Sequence, residues 1–133
     1  MGSARVDVAV IGGGPAGAAA ALALAAHDPA LRVTVIEAST YDAPRIGETL
    51  HPAVRPVLER LGVWERFAAE ASTGHSDAHG TVSAWGSAVL AGQDFITSTL
   101  GRGFHVERRR FDALLIDEAE ARGARVLRGS KVM

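Results

Sequence analysis

Three glycines, a proline and an acid carry the chemistry that can be read first from this chain. Gly12-Gly13-Gly14-Pro15-Ala16-Gly17 fits the spacing G-x-G-x-x-G, and Glu37 follows Gly17 by 20 residues. Gly12 permits a tight turn, Gly14 lets backbone approach a pyrophosphate, and Gly17 lets a helix lie close on a sheet. Pro15 suits the first turn of that helix, where its missing N–H would have had no partner. The free N–H groups and positive dipole end of the helix then face the phosphates. A carboxylate at Glu37 can accept hydrogen bonds from a ribose 2′-OH. Together these residue types describe recognition of a dinucleotide.

Positioning them requires a strand, a turn, a helix and a second strand. Val6 to Ile11 is almost wholly apolar and β-branched, the pattern of a strand buried on both faces of a parallel sheet. The small residues of Ala18 to Ala26 suit a helix lying close to strands, and Val33 to Ile36 is the next strand, closed by Glu37. Val8 to Ala26 is uncharged and long enough to raise a membrane span or a signal peptide, but three glycines and a proline interrupt it. No membrane span is expected.

Beyond the acid, Ala38 to Arg45 reads as a polar loop. A helix starts a little after Pro52, with Val54, Val57, Leu58 and Leu61 on one apolar face and Gly62 as its C-cap. A short helix runs on to about Ala71, with Trp64 and Phe67 as core residues. Ser72 to Gly80 reads as a solvated loop, although the alternation His75-Ser76-Asp77-Ala78-His79 would suit metal ligands on a strand. Without a confident fourth ligand, no metal site is expected. Thr81 to Trp85 and Ala88 to Leu90 flank Gly86-Ser87 as a hairpin. Gly86-Ser87-Ala88 does not complete a nucleophile elbow. Phe104 to Glu107 is a strand, Arg109 or Arg110 to Arg122 a helix ended by Gly123, and Ala124 to Leu127 a strand. The fold class that accommodates this order is α/β, a Rossmann-like parallel sheet with helices on its faces and a small antiparallel hairpin insertion.

The 133 residues suit one domain, 1–133, with 72–107 as the insertion. A net charge of −1 gives no reason to expect nucleic acid. The absence of cysteine excludes disulfides and thiolate metal sites within the chain and fits a cytoplasmic location.

Several stretches carry a resemblance. V-A-V-I-G-G-G-P-A-G-A with V-I-E resembles the FAD-binding start of glutathione-reductase-type flavoproteins. R-I-G-E-T-L-H-P (Arg45 to Pro52), L-E-R-L-G-V-W (Leu58 to Trp64) and H-V-E-R-R-R-F-D-A-L-L (His105 to Leu115) are similar to a narrower branch. That branch holds para-hydroxybenzoate-hydroxylase-like monooxygenases, geranylgeranyl-reductase-like enzymes and flavin-dependent halogenases, and R-I-G-E-T-L looks closest to its halogenase-like members.

The resemblance implies FAD as cofactor, with electrons from NAD(P)H or a separate flavin reductase. Gly12, Gly14, Pro15, Ala16 and Gly17 would cradle the pyrophosphate, and Glu37 would bind the adenosine ribose. Arg45 would lie along the cofactor, and Arg108 would reach its diphosphate and ribityl region. Val132 would supply backbone contact to the adenine. Glu48 and His51 fall near the flavin by the same analogy, and no catalytic acid or base can be named. The family's second FAD segment, a Gly-Asp motif, is not found here, so the chain reads as the N-terminal part of a longer enzyme.

The activity implied is an FAD-dependent oxidoreductase, of monooxygenase type. The alternatives are a halogenase, a halogenase-like maturation factor acting on a partner protein, or a dinucleotide-binding module without chemistry. The substrate would be a small molecule or a protein-bound group. Flavin-dependent halogenases need a lysine in the segment after the G-E-T-type helix, and Ala78 to Ser87 contains none. The only lysine is Lys131.

Overall fold

The computed structural model describes residues 5–133. Twelve elements follow one another: β1 Val8–Ile11, α1 Pro15–His27, β2 Val33–Ile36, β3 Glu48–Leu50, α2 Val54–Arg60, α3 Trp64–Ala69, β4 His75–Ala78, β5 Gly80–Ser83, β6 Ala91–Asp94, β7 Gly103–Val106, α4 Arg108–Ala121 and β8 Arg125–Leu127. They fall into two units. The first comprises the chain up to Arg45 together with Arg109–Met133, and the second is Ile46–Arg108.

In the first unit three parallel strands lie in the order β1-β2-β8. Val8 pairs with Val33 and Ile11 with Ile36, while Val35 faces Val126 on the other side. The parallel arrangement follows from the β1-α1-β2 connection, whose helix returns the chain to its starting end. Ala18, Ala21 and Leu22 bury the sheet-facing side of α1, and Val33 and Val35 are buried in β2. α4 contributes Phe111, Leu114, Leu115, Ile116 and Ala119, spaced as one helical face.

One expectation about this sheet is corrected. β1 is not buried on both faces: Val8 and Val10 are half-buried and Ile11 is 63% exposed. Val10 faces α1, as a Cβ on Gly17 would come within 3.3 Å of its side chain. By the two-residue period of a strand, Ala9 and Ile11 then face away from the helix. Burial on both faces belongs instead to β2, the central strand, where successive residues Val33, Thr34 and Val35 are all buried.

The second unit is built on the antiparallel sheet β3-β7-β4. Thr49 and Ser76 both register with His105, one from each side of β7. α2 and α3 bury Leu58 and Phe67. Phe67 stacks on His75 at 4.1 Å between ring centroids and meets Phe104 edge-on at 5.2 Å. Trp64 and Phe67 are thus packing residues, as expected, and Gly62 ends α2 with a φ of 67°.

Here too the structure departs from expectation. His75–Ala78 is a strand rather than a solvated loop, because β7 pairs with it across the sheet. His75 Nε2 lies 2.9 Å from the Phe67 carbonyl and Asp77 pairs with Arg102 at 2.7 Å. Among the described residues no three His, Cys, Asp or Glu side chains could share a metal ion. The hairpin exists, but its strands are β5 and β6, so its second strand begins at Ala91 and not at Ala88. Val57, expected on the apolar face of α2, is 53% exposed, and β3 was not foreseen. Among the described residues no helix is long and apolar enough to cross a membrane.

Candidate cofactor site

Between β1 and α1 the chain reverses on Gly12, whose φ of 96° lies in the region that favours glycine. Its N–H donates to the Ile36 carbonyl at 2.8 Å, tying the turn to the end of β2. A Cβ on Gly17 would collide with the Gly12 carbonyl oxygen, so the helix can close on the turn only with glycine there. At Gly14 the opposite holds, and a Cβ would meet nothing within 4 Å. Pro15 is the first residue of α1, as the sequence indicates. Ala18 is the first residue in this stretch whose N–H is satisfied from the helix start, by the Gly14 carbonyl at 2.9 Å. The N–H groups of Ala16 and Gly17 are left at the open end of the helix, as the first turn of any helix leaves them.

The acid closes this turn from the side. Glu37 Oε2 accepts the Gly13 N–H at 2.6 Å, and Oε1 accepts the Ser39 N–H at 2.8 Å. Arg45 Nη2 adds a contact to Oε1 at 3.3 Å and donates to Ser39 Oγ at 2.6 Å. Burial of Glu37 pushes its pKa up, but the bonds from Ser39 and Gly13 and the charge of Arg45 outweigh it, and the net shift is downward. The carboxylate is therefore held ionised. Oε2 faces the glycine turn, and Oε1 faces Ser39 and Arg45.

Two residues not foreseen as part of the site complete it. Tyr41 donates from its hydroxyl to the Gly13 carbonyl at 2.7 Å, with its own φ at 64°. Burial, followed by the charge of Glu37, pushes the phenol pKa up to about 12, so it stays a neutral donor. Asp112, fully buried on α4, receives Arg45 Nη1 at 2.7 Å. Arg45 thus reaches Glu37, Ser39 and Asp112. After β8 the chain runs back beside the acid: Gly129 N–H donates to the Ser39 carbonyl at 3.1 Å and Ser130 N–H to the Glu37 carbonyl at 2.9 Å. Val132 lies just beyond and is exposed.

Within the second unit Arg108 Nη1 pairs with Glu48 Oε1 at 2.7 Å, and the arginine is largely covered. His51 meets Phe95 edge-on at 4.9 Å. The structure thus brings Gly12 to Gly17, Glu37 and Arg45 together in one unit and places Arg108 and Glu48 side by side in the other.

A phosphate-approach turn at a helix N-terminus, flanked by a carboxylate at the end of the next strand, defines a Rossmann-type dinucleotide-binding unit. The chain matches the FAD binding domain family over residues 5–133, and it belongs to that family. Its cofactor is FAD, and the family comprises oxidoreductase-type flavoenzymes. Tryptophan 2-halogenase of Chondromyces crocatus is 34% identical over 92% of this chain and 22% of its own length. A chlorinase of carrier-protein-bound pyrrole-2-carbonyl groups from Pseudomonas fluorescens is 32% identical over 95% of the chain and 31% of its own. Among solved structures, the flavin-dependent halogenase CmlS is 33% identical with a TM-score of 0.77, covering 99% of this chain and 24% of that one. The p-nitrophenol 4-monooxygenase PnpA of Pseudomonas putida shares the fold, with a TM-score of 0.69 at 18% identity over 93% of this chain and 32% of its own. The chain thus spans about a quarter to a third of these relatives.

Proposed function

We propose that this chain holds the adenosine and pyrophosphate portion of FAD for an oxygen-using, monooxygenase-type oxidoreductase. The observation that carries it is the pairing of open space before Gly14 with a fixed, ionised carboxylate 2.6 Å from the neighbouring Gly13 N–H. A pyrophosphate fits before Gly14 at the N-terminus of α1, and the ionised carboxylate of Glu37 suits a ribose hydroxyl. Bound flavin supplies the redox chemistry, and the protein supplies binding, orientation and electrostatics. Gly12, Gly14, Pro15, Ala16 and Gly17 are assigned to the pyrophosphate, Glu37 to the ribose, and Arg45 to orienting the acid. Arg108 as a diphosphate and ribityl contact and Val132 as an adenine contact rest on the resemblance alone.

The substrate is proposed to be a small molecule, free or held on a carrier protein, with electrons from NAD(P)H or a reductase partner. A halogenase is the second reading, favoured by relatives bearing that name at 32–34% identity. The test of cofactor binding is the absorption spectrum of the purified protein with and without Glu37→Ala. Flavin bands in the wild type are expected, with affinity in the variant reduced by roughly 1.5–3 kcal/mol for the lost charge-assisted hydrogen bond. Equal affinity in both would remove Glu37 from the site.

A further inference from the structure

We propose that Asp112 is a positioning residue for the adenosine end of the cofactor, acting through Arg45 on the carboxylate of Glu37. This deepens the FAD reading above and rests on it.

Asp112 stands in the run Phe111-Asp112-Ala113-Leu114-Leu115, on a helix whose neighbouring positions bury apolar side chains. Packing alone would be served there by leucine or methionine, and burying a carboxylate is costly unless it is paired. It pairs with Arg45, 67 residues away in sequence, through Oδ2 and Nη1 at 2.7 Å. The guanidinium is a rigid planar fork, so holding Nη1 at Asp112 sets the direction of Nη2. Nη2 is the nitrogen that meets Ser39 Oγ and Glu37 Oε1. The Tyr41 ring lies beside the same guanidinium, with its centroid 5.6 Å away.

This arrangement adds a third, charged constraint to the two backbone N–H bonds that orient the Glu37 carboxyl group. Oε1 is held by Ser39 and Arg45 and Oε2 by the Gly13 N–H, so Oε2 stands at the glycine turn, the side from which a ribose hydroxyl would approach. Without Asp112, Arg45 keeps the short bond to Ser39 and the longer contact to Glu37, and has a solvent-exposed alternative, since 29% of its side chain is open. The carboxylate then samples orientations that serve the turn but not the ribose.

The test uses the intact protein with FAD and with an FAD analogue lacking the adenosine 2′-hydroxyl, each titrated by calorimetry. Wild type is expected to prefer FAD. Asp112→Asn should lose about tenfold in FAD affinity, within the coupling found inside one hydrogen-bonded network, and lose nothing further for the analogue. Arg45→Gln, which breaks the same link from its part-exposed end, should behave alike and decides the matter if Asp112→Asn does not fold by circular dichroism. Equal losses for FAD and analogue in these variants, or no loss for FAD, would overturn the proposal and leave the Glu37 reading standing. A wild type that does not distinguish the two ligands would remove the ribose role of Glu37, and this proposal with it.

Discussion

Gly14 and Gly17 are both glycines of one turn, yet the structure gives them opposite sensitivities. A side chain on Gly14 enters open space with an ordinary backbone conformation, φ −73°. Gly14→Val should therefore melt within about 0.5 kcal/mol of wild type, as at other sites free of strain, while losing bound flavin. Gly17→Val would drive carbon against the Gly12 carbonyl, so it should lose stability by at least the roughly 1–3 kcal/mol typical of overpacking. Urea melts paired with flavin content would separate the two, and a flavin-replete Gly14→Val would end the phosphate-turn assignment. Tyr41 makes a third case. Its hydroxyl is the partner of the buried Gly13 carbonyl, so Tyr41→Phe should cost about 1–3 kcal/mol through an acceptor left unsatisfied. Because the folded phenol titrates near 12 rather than 10, this contribution is full below the ordinary value and disappears as pH rises through the folded one. A Tyr41→Phe protein should accordingly show a smaller alkaline loss of stability than wild type over that window.

Between elements, the first parallel pairing is pinned at its entry by Asp7 and Arg32. Arg32 Nε and Nη2 reach the two carboxylate oxygens at 2.8 and 2.6 Å, and the Arg32 N–H adds a third bond at 3.0 Å. They stand one residue before Val8 and Val33, the first registered pair of β1 and β2. These bonds to Arg32 hold the Asp7 carboxyl near 2, below its ordinary 3.8. A lowered carboxylate pKa stabilises the fold above the ordinary value, and the contribution disappears as pH falls through the folded one. Asp7→Asn should thus flatten the dependence of melting temperature on pH between about 4 and 2, and a slope equal to wild type there would refute the clamp. The strand-helix-strand this clamp serves was legible in the sequence because its signals are local: β-branched runs, glycine spacing, and proline at the helix start. α4 and β8 were legible for the same reason, to within a residue or two. β3 and β4 were not. Glu48-Thr49-Leu50 and His75-Ser76-Asp77-Ala78 have little strand character of their own and become strands because β7 pairs with both. The site divides likewise. The glycines and Glu37 announce themselves by spacing, whereas Tyr41 and Asp112 reach their partners from 28 and 67 residues away. Asp112 did leave one readable sign, a carboxylate inside an apolar helical face.

At the scale of the whole molecule, solved structures that share this fold bear the names of halogenases and of monooxygenases, and the turn proposed to hold FAD does not separate them. The resemblance places the difference in what meets the oxidised halide. The resemblance to halogenases calls for a lysine in the segment after the G-E-T motif, where an ammonium serves as a compact, hydrogen-bonding charge. That window, Ala78 to Ser87, runs from the end of β4 through β5 into the loop that follows, and it carries no lysine. Lys131 is the only lysine in the sequence and lies after β8, in the first unit, whereas the window belongs to the second. Arginine is no substitute, because its guanidinium is planar and does not give up its proton at accessible pH. The intact protein, given reduced FAD and O₂, is therefore expected to consume oxygen without halogenating, even in excess chloride or bromide. Mass spectrometry of the products after incubation with candidate aromatic and carrier-bound substrates checks this. A halogenated product that depends on both the protein and reduced flavin would overturn the expectation, establish the halogenase reading, and require the ammonium to come from a residue outside these 133.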